Sequence, residues 1–242
     1  MGAASTASAH DADDGGLGPF LSSLQLADSF FPSGLYALSY GLEAFAQAGL
    51  LKPARLEGLL TDYLRHGVGP ADGAALACAH RAGETGALEI AAEADVRLTS
   101  VKLSREAREI SQRIGRQLLR TAGQVFGGAL LHAYAEQVSR GAAPANHAVV
   151  LGLTMAVLHI RRERALAGEL YAFAASAIGS AVRLAIIDHR FAQTVLHALK
   201  PVIAELAHTH CGSRVRDIAS STPLIDIMAM RHERAELRLF MS

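Results

Sequence analysis

The sequence predicts an all-α protein, a single-domain bundle of about ten helices. Apolar residues recur at spacings of three and four along most of the 242-residue chain, which is the period of a helix that is buried on one side. Strand signals are nearly absent, because short runs such as Ile186-Ile187 lie within helical spacing and no alternating runs flank an Asn-Gly or Asp-Gly turn. No repeat of fixed period is visible, so a solenoid is not expected.

Composition bounds the size of the fold and its partners. Half of the residues are hydrophobic and the mean hydropathy is +0.22. A chain of this length and composition can bury the core of one large domain or of two small ones. Basic and acidic residues number 23 each, so the overall charge predicts neither a nucleic acid nor an anionic membrane as partner. Because no window of about 18 uncharged apolar residues is present, we expect no membrane-spanning segment.

The N-terminal stretch, MGAASTASAHDADDGG, is small, polar and acidic. It has neither the basic region nor the apolar region of a secretory signal. We therefore predict a disordered tail over residues 1–18 and one helical domain over residues 19–242. Two cysteines, Cys78 and Cys211, are too few for a disulfide framework and suit a reducing cytosol, so a cytoplasmic protein is expected.

Most of the chain is predicted as helix after helix. The longer predicted helices cover residues 53–66, 70–83, 87–99, 101–122, 129–138, 146–159, 166–184 and 190–207. Pro70 is expected to open a new alanine-rich helix, since proline suits a first turn. The stretch Leu166 to Leu184 is apolar nearly all round and is expected to form the buried centre of the bundle. Pro201 should kink its helix or mark a second start.

One predicted helix, over residues 101–122, carries a basic stripe. At about 100° per residue its apolar face holds Leu103, Ala107, Ile110, Ile114 and Leu118. The opposite face holds Lys102, Arg105, Arg113, Arg116 and Arg120. The favoured interpretation is a solvated face on which Glu109 pairs with Arg105 or Arg113. The alternative is a docking surface for an acidic partner.

Motifs of catalysis and metal binding are scarce. The chain has no GxxxxGK[ST] loop, no GxGxxG after a strand, no HExxH and no CxxC. The one suggestive cluster is His208, His210 and Cys211, because imidazole and thiolate are good ligands for late transition metals. Two histidines at i and i+2 point the same way only in extended chain, so such a site would have to lie in the loop after the helix. A polar helix end is the favoured interpretation.

Aromatic residues crowd one turn near the N-terminus. The chain has 8 Phe, 5 Tyr and no Trp, yet Phe30, Phe31, Tyr36 and Tyr40 fall within a few residues of one another. Pro32 disfavours helix at the preceding residue and Gly34 tolerates positive φ, so a turn is expected there. At the other end, apolar side chains and Arg238 occupy the last five residues, where polar residues are usual. We expect both segments to be held by packing or by a partner.

Both segments resemble the terminal signatures of the urease accessory protein UreF family. In LQLADSFFPSGLYALSYGLE the residues in register are Pro32, Gly34, Tyr36, Ser39, Gly41, Leu42 and Glu43. In DIMAMRHERAELRLFMS they are Asp226, Met230, His232, Glu233, Arg238, Leu239, Phe240 and Ser242. Three positions depart from the family pattern: Leu35, Ala37 and Glu236. In the part of the chain that lies between the two signatures, the resemblance to the family is weak.

The resemblance implies a helical homodimer without catalytic activity. Members of the family bind the accessory protein UreD, also called UreH, and the GTPase UreG, and the complex helps deliver nickel to apo-urease. No stably bound cofactor is implied, with nickel at most in transit. The residues implied to bind partners are Pro32, Gly34, Tyr36, Ser39, Gly41, Glu43, His232, Glu233, Arg238, Leu239 and Phe240. The alternative is that the two signatures pack on each other to hold the fold, and both interpretations can be true together.

Two rival functions are compatible with the same sequence. The chain could supply an arginine in trans to a GTPase, for which Arg161, Arg162 and Arg164 are the candidates if they lie in an exposed loop. It could instead carry nickel on His208, His210 and Cys211. In that case, replacing both histidines with alanine would lower the amount of nickel bound in equilibrium dialysis.

Overall fold

The computed structural model describes residues 16–28, Phe31 and residues 38–232. This part of the chain forms eleven α-helices and contains no β-strand, which confirms the all-α prediction. In chain order the helices are α1 (Leu17–Ala27), α2 (Leu42–Gln47), α3 (Pro53–Tyr63), α4 (Ala74–Thr85), α5 (Leu88–Val101), α6 (Arg105–Val125), α7 (Ala129–Ser139), α8 (His147–Val157), α9 (Arg162–Arg183), α10 (His189–His210) and α11 (Pro223–His232). Helix α1 begins at Leu17, so its first two residues fall within the predicted tail.

Helix α8 is the buried centre of the bundle. Every residue from His147 to Ala156 is buried, and the helix lies against the alanine-rich α4. A Cβ atom added to Gly152 would lie 2.6 Å from the carbonyl oxygen of Leu76, so the two backbones pack directly on each other. The prediction that Leu166 to Leu184 is the centre was wrong, because α9 turns residues such as Tyr171 to solvent.

Helix α9 has the length and composition of a membrane span. Among the described residues, Arg162–Arg183 is the one helix that is long and apolar enough to cross a membrane. We expected no membrane-spanning segment because the sequence has no long run without charged residues, and in this helix Glu169 interrupts the apolar run. Because 56% of its most apolar window is buried inside the bundle, α9 has the pattern of a core helix.

A π-helix of ten residues, Leu64–Gly73, joins α3 to α4 without a break. Pro70 lies inside this segment, so the prediction that it opens a new helix was wrong. Proline has no N–H to donate, and its ring crowds the preceding turn, which the wider π-helix accommodates. Two carbonyl groups of the segment accept from the chain just before α11. The Ser221 N–H donates to His66 at 2.8 Å, and the Ala219 N–H donates to Pro70 at 3.1 Å.

The buried carboxylate of Asp95 fixes the start of α8. It accepts hydrogen bonds from the Tyr134 hydroxyl at 2.6 Å, from the Ala145 N–H at 2.6 Å and from the Asn146 N–H at 2.8 Å. The side-chain amide of Asn146 adds a fourth bond at 2.6 Å. Burial raises the pKa of Asp95, and these donors act in the opposite direction. One side chain thereby joins α5, α7 and the turn before α8.

The basic stripe differs from its prediction at two residues. Lys102 follows the end of α5 and pairs with Asp72 at 2.8 Å, so it lies outside α6. Leu103 was expected on the apolar face but is 60% exposed, because α6 begins only at Arg105, with Ser104 as its cap. The Ser104 hydroxyl accepts from the Ala107 N–H at 3.2 Å.

Candidate partner-binding site

The N-terminal and C-terminal signatures meet at Gly41 and Ala229. Gly41 precedes α2 with φ of 78°, and Tyr40 before it also has positive φ, 51°. A Cβ atom added to Gly41 would lie 3.7 Å from the Ala229 nitrogen. The left-handed turn and the small side chain of Ala229 together allow α2 and α11 to pack closely.

The place where Gly41 and Ala229 meet forms a corner of the bundle, between α2 and α11. Three aromatic rings pack this corner against the core. Tyr40 packs edge-on against Phe173 of α9, with ring centroids 4.7 Å apart. Tyr63 of α3 contacts the same ring at 4.9 Å, again edge-on. Burial raises the pKa of both tyrosines above the ordinary value. Such a cluster positions the start of α2 relative to α9.

A cavity of about 140 Å³ lies beneath the corner. Its lining includes Tyr40, Gly41, Tyr63 and Ala229 together with the start of α6. The volume is large enough for several water molecules.

Titratable side chains, buried or half-buried, line the same cavity, and four of them form two pairs. The Lys102 ammonium contacts both carboxylate oxygens of Asp72 at 2.8 Å. The Nδ1 atom of His147 lies 3.4 Å from the nearer carboxylate oxygen of Glu169. Asp226 accepts from the Thr222 hydroxyl at 3.2 Å. Burial raises the pKa of Asp226, while that bond and Lys102 act to lower it.

Helix α11 divides into an inner and an outer apolar face. Ile225 and Met228 are buried against the bundle. Leu224, Ile227 and Met230 point outward and are 54%, 47% and 39% exposed. A row of large apolar side chains on a surface helix is typical of a protein contact surface.

Helix α1 also exposes an apolar face and has no charged residue. None of its residues is fully buried, and Leu26 is one that packs on the core. The exposed apolar side chains are Leu17, Phe20, Leu21 and Leu24. The first and last helices of the described chain therefore both present apolar surface.

Comparison with known proteins decides the family. The family model described as UreF matches residues 50–200. The chain is 31% identical to the urease accessory protein UreF of Paenarthrobacter aurescens, over 90% of this chain and 96% of that protein. The chain belongs to the UreF family. It is also 30% identical to the urease accessory protein UreF of Trichodesmium erythraeum, over 91% of this chain and 95% of that protein. With the urease accessory protein UreF 2 of Brucella canis it shares 29% identity over 90% of each chain.

Four of the site residues that the UreF resemblance implied lie within the described structure, and the three whose burial is described, Ser39, Gly41 and Glu43, are buried. Ser39 accepts the Leu42 N–H through its carbonyl at 2.9 Å. Gly41 makes the contact with Ala229, and Glu43 lies in the first turn of α2, where its carboxylate accepts from Gln47 at 3.4 Å. These three residues hold the corner from inside.

The other implied residues fall mainly outside the described structure. These are Pro32, Gly34, Tyr36, Glu233, Arg238, Leu239 and Phe240. His232 is the last residue of α11, and only its backbone is described. Their roles stay predictions.

The histidine and cysteine cluster lies at the end of α10. His208 and His210 are in its last turn, so the extended chain that a metal site on this cluster would need is not formed there, in line with the favoured interpretation of a polar helix end. His208 approaches Glu163 at 3.2 Å, whereas His210 lies at 3.5 Å from the Ser213 hydroxyl. Among the described residues, no three His, Cys, Asp or Glu side chains are grouped to hold a metal ion.

The three candidate arginines lie at the start of α9 and have different environments. Arg161 and Arg164 are exposed, whereas Arg162 forms an ion pair with Glu84 and also reaches the Cys211 carbonyl at 3.4 Å. Glu84 is also 3.4 Å from Nδ1 of the buried His80. Arg162 is therefore engaged in joining α4, α9 and α10.

Sequence reasoning missed Ala229 and the outer face of α11. The signal was present in the spacing of Leu224 and Ile227, which fall on one side of a helix that Thr222 and Pro223 begin. It missed the cavity entirely, because the pairs Lys102–Asp72 and His147–Glu169 join residues far apart in the chain.

Proposed function

We propose that this protein is a urease maturation factor that acts without catalysis, as a scaffold in the cytoplasm. It binds UreD/UreH and the GTPase UreG as a homodimer and supports nickel insertion into apo-urease, with nickel at most in transit. The observation that carries the proposal is the family match, which extends over about nine-tenths of this chain and of relatives named urease accessory proteins.

The exposed apolar residues supply the surface for such a scaffold. Leu224 and Ile227 lie on the exposed face of α11, and Ala229 of the same helix contacts Gly41 just before α2. Phe20 and Leu21 add exposed apolar area on α1. Large apolar side chains are the residues that form the buried centre of a protein interface. We infer that the outer face of α11 contacts UreD/UreH.

Co-purification with a tagged UreD-type partner tests this contact. Ile227→Asp places a charge on the outer face of α11 and should abolish co-purification while the melting temperature stays unchanged. Val96→Asp is the matched control, because Val96 is 54% exposed against 47% for Ile227 and lies on α5. Equal recovery of partner with both variants would refute the role of α11. Full urease activation in cells that lack this gene would refute the proposed function itself.

A second role, supplying an arginine to the GTPase, is favoured by the exposure of Arg161 and Arg164 at the start of α9. If Arg161 or Arg164 acts in trans, replacing that arginine with alanine should slow single-turnover GTP hydrolysis by the GTPase partner at least tenfold. Arg190→Ala, at another exposed arginine, is the control. Unchanged rates with Arg161→Ala and Arg164→Ala would exclude these two residues.

A further inference from the structure

Helix α6 turns a compact row of arginines to solvent. Its inner face is buried through Ile110, Ile114 and Leu118. The exposed arginines on the outer face are Arg105, Arg113, Arg116 and Arg120. At 3.6 residues per turn they fall within about 80° of the helix circumference, and at 1.5 Å per residue they extend over about 22 Å. The row is therefore narrow, straight and long enough to follow one partner helix.

Three of these arginines lack a carboxylate partner among the described residues. No side-chain oxygen of a described Asp or Glu lies within 4.0 Å of Arg105, Arg116 or Arg120. Arg116 reaches only the carbonyl of Pro144, at 3.4 Å, and Arg120 bonds to Gln117 of the same helix.

The pairing expected for Glu109 is not formed. Glu109 is exposed on the same face, and within the described chain it makes no ion pair with Arg105 or Arg113. The face is exposed to solvent, as the favoured interpretation expected, but the ion pair of Glu109 that supported this interpretation is absent from the described structure. Within the described chain, the positive charges of Arg105, Arg116 and Arg120 are therefore available to an external partner or to solvent.

Several other arginines are engaged by the fold. Arg65 of α3 makes two bonds to Glu205 of α10, at 2.7 and 2.6 Å. Arg108 donates to two carbonyls at the end of α5, at 2.6 and 2.8 Å. Arg81 donates to the Ser213 carbonyl at 2.9 Å. Among the described residues, Arg105, Arg116 and Arg120 have no comparable contact with another helix.

We propose that the outer face of α6 binds an acidic helical segment of a protein partner. Guanidinium groups pair with carboxylates through two parallel hydrogen bonds, and the chain as a whole carries no net charge that would attract an acidic surface elsewhere. This surface is distinct from α11 and does not depend on the urease role.

A protein fits this face better than a nucleic acid does. Glu109 lies in the middle of the row and would repel a continuous line of phosphates. Leu103, just before the first arginine, is 60% exposed and offers an apolar contact. Arginine beside exposed apolar surface is typical of protein interfaces.

Charge reversal tests the proposal on the full-length protein. The test variant is Arg105→Glu with Arg116→Glu and Arg120→Glu. The control variant, Lys52→Glu with Arg55→Glu and Arg190→Glu, changes the net charge equally at exposed positions on other helices and loops. The probes are a fluorescein-labelled amphipathic helical peptide rich in glutamate and a labelled DNA duplex of similar length. Fluorescence anisotropy is read at low and high salt.

The wild type and the control variant should bind the peptide equally, and the test variant should bind at least about tenfold more weakly. Equal peptide affinity of the test and control variants would overturn the proposal, as would a wild type that does not bind the peptide at low salt. Duplex DNA bound as tightly as the peptide, and lost in the same variant, would assign the face to nucleic acid instead. If the test variant melts below the wild type, the same three positions are changed to glutamine and measured again.

Discussion

Gly115 of α6 lies directly against the carbonyl oxygen of Ala145, at a distance that leaves no room for a side chain. A Cβ atom added to Gly115 would lie 2.0 Å from that oxygen. Ala145 itself has φ of 66° and donates its N–H to Asp95. The close approach of α6 to the start of α8 therefore depends on a glycine at this position.

Gly115→Ala should destabilise the protein by about 3 kcal/mol or more, because either α6 or the turn before α8 has to move. Gly123→Ala is the matched control on the same helix, since a Cβ atom there meets nothing within 4 Å. It should stabilise by about 0.5–1 kcal/mol through helix propensity. Urea unfolding of the two variants gives both values. Equal stability would show that the contact between α6 and the turn can relax.

Asp95→Asn should destabilise by about 3 kcal/mol, although it keeps the shape of the side chain. Each carboxylate oxygen of Asp95 accepts two hydrogen bonds. In either orientation of the asparagine amide, its NH₂ group would therefore point at two other donors and could not accept their hydrogen bonds. Tyr134→Phe removes one donor only and should cost about 1 kcal/mol. Guanidinium unfolding measures both variants. A smaller loss for Asp95→Asn than for Tyr134→Phe would contradict the role of the carboxylate.

The stability of the fold should depend on the protonation of His210. Burial lowers the pKa of this histidine below its ordinary value. The unfolded chain therefore binds the proton more readily, and the folded state loses stability as the pH falls below about 6.5, until the folded pKa is passed. Melting temperatures from neutral to mildly acidic pH should fall less steeply for His210→Gln than for the wild type. Parallel curves would contradict this linkage.

Ala229→Leu should loosen α11 from the bundle. The Ala229 Cβ faces Gly41, and three added carbon atoms have to be accommodated where the backbones are in contact, at a cost of about 1–3 kcal/mol. Hydrogen exchange of the α11 amides should accelerate while that of α8 amides stays slow. Met230→Leu, on the exposed face, is the control and should leave both unchanged. Protection of α11 retained in Ala229→Leu would refute the contact.

Local patterns predicted the helices well, and their limits can be traced to particular residues. The amphipathic spacing of α6 predicted its buried Ile110 and Ile114, because helical periodicity is a property of neighbouring residues. The prediction for Pro70 was wrong, because the N–H that donates to the His66 carbonyl in place of the one that proline lacks comes from Ser221, about 150 positions later. Glu109 was expected to pair within its own helix, but an exposed ion pair four residues apart contributes only about 0.3–0.5 kcal/mol, too little to hold two long side chains in one geometry.

The sequence by itself determined the all-α class, the amphipathic faces of the helices and, through its two terminal signatures, the family. Tertiary structure alone decided that α8 is the centre, that Lys102 pairs with Asp72 across the cavity, and that Gly41 packs on Ala229. The physical reason is distance along the chain. Helix periods and turn residues act within a few positions, whereas close packing and the pairing of buried charges depend on which helices the complete fold brings into contact.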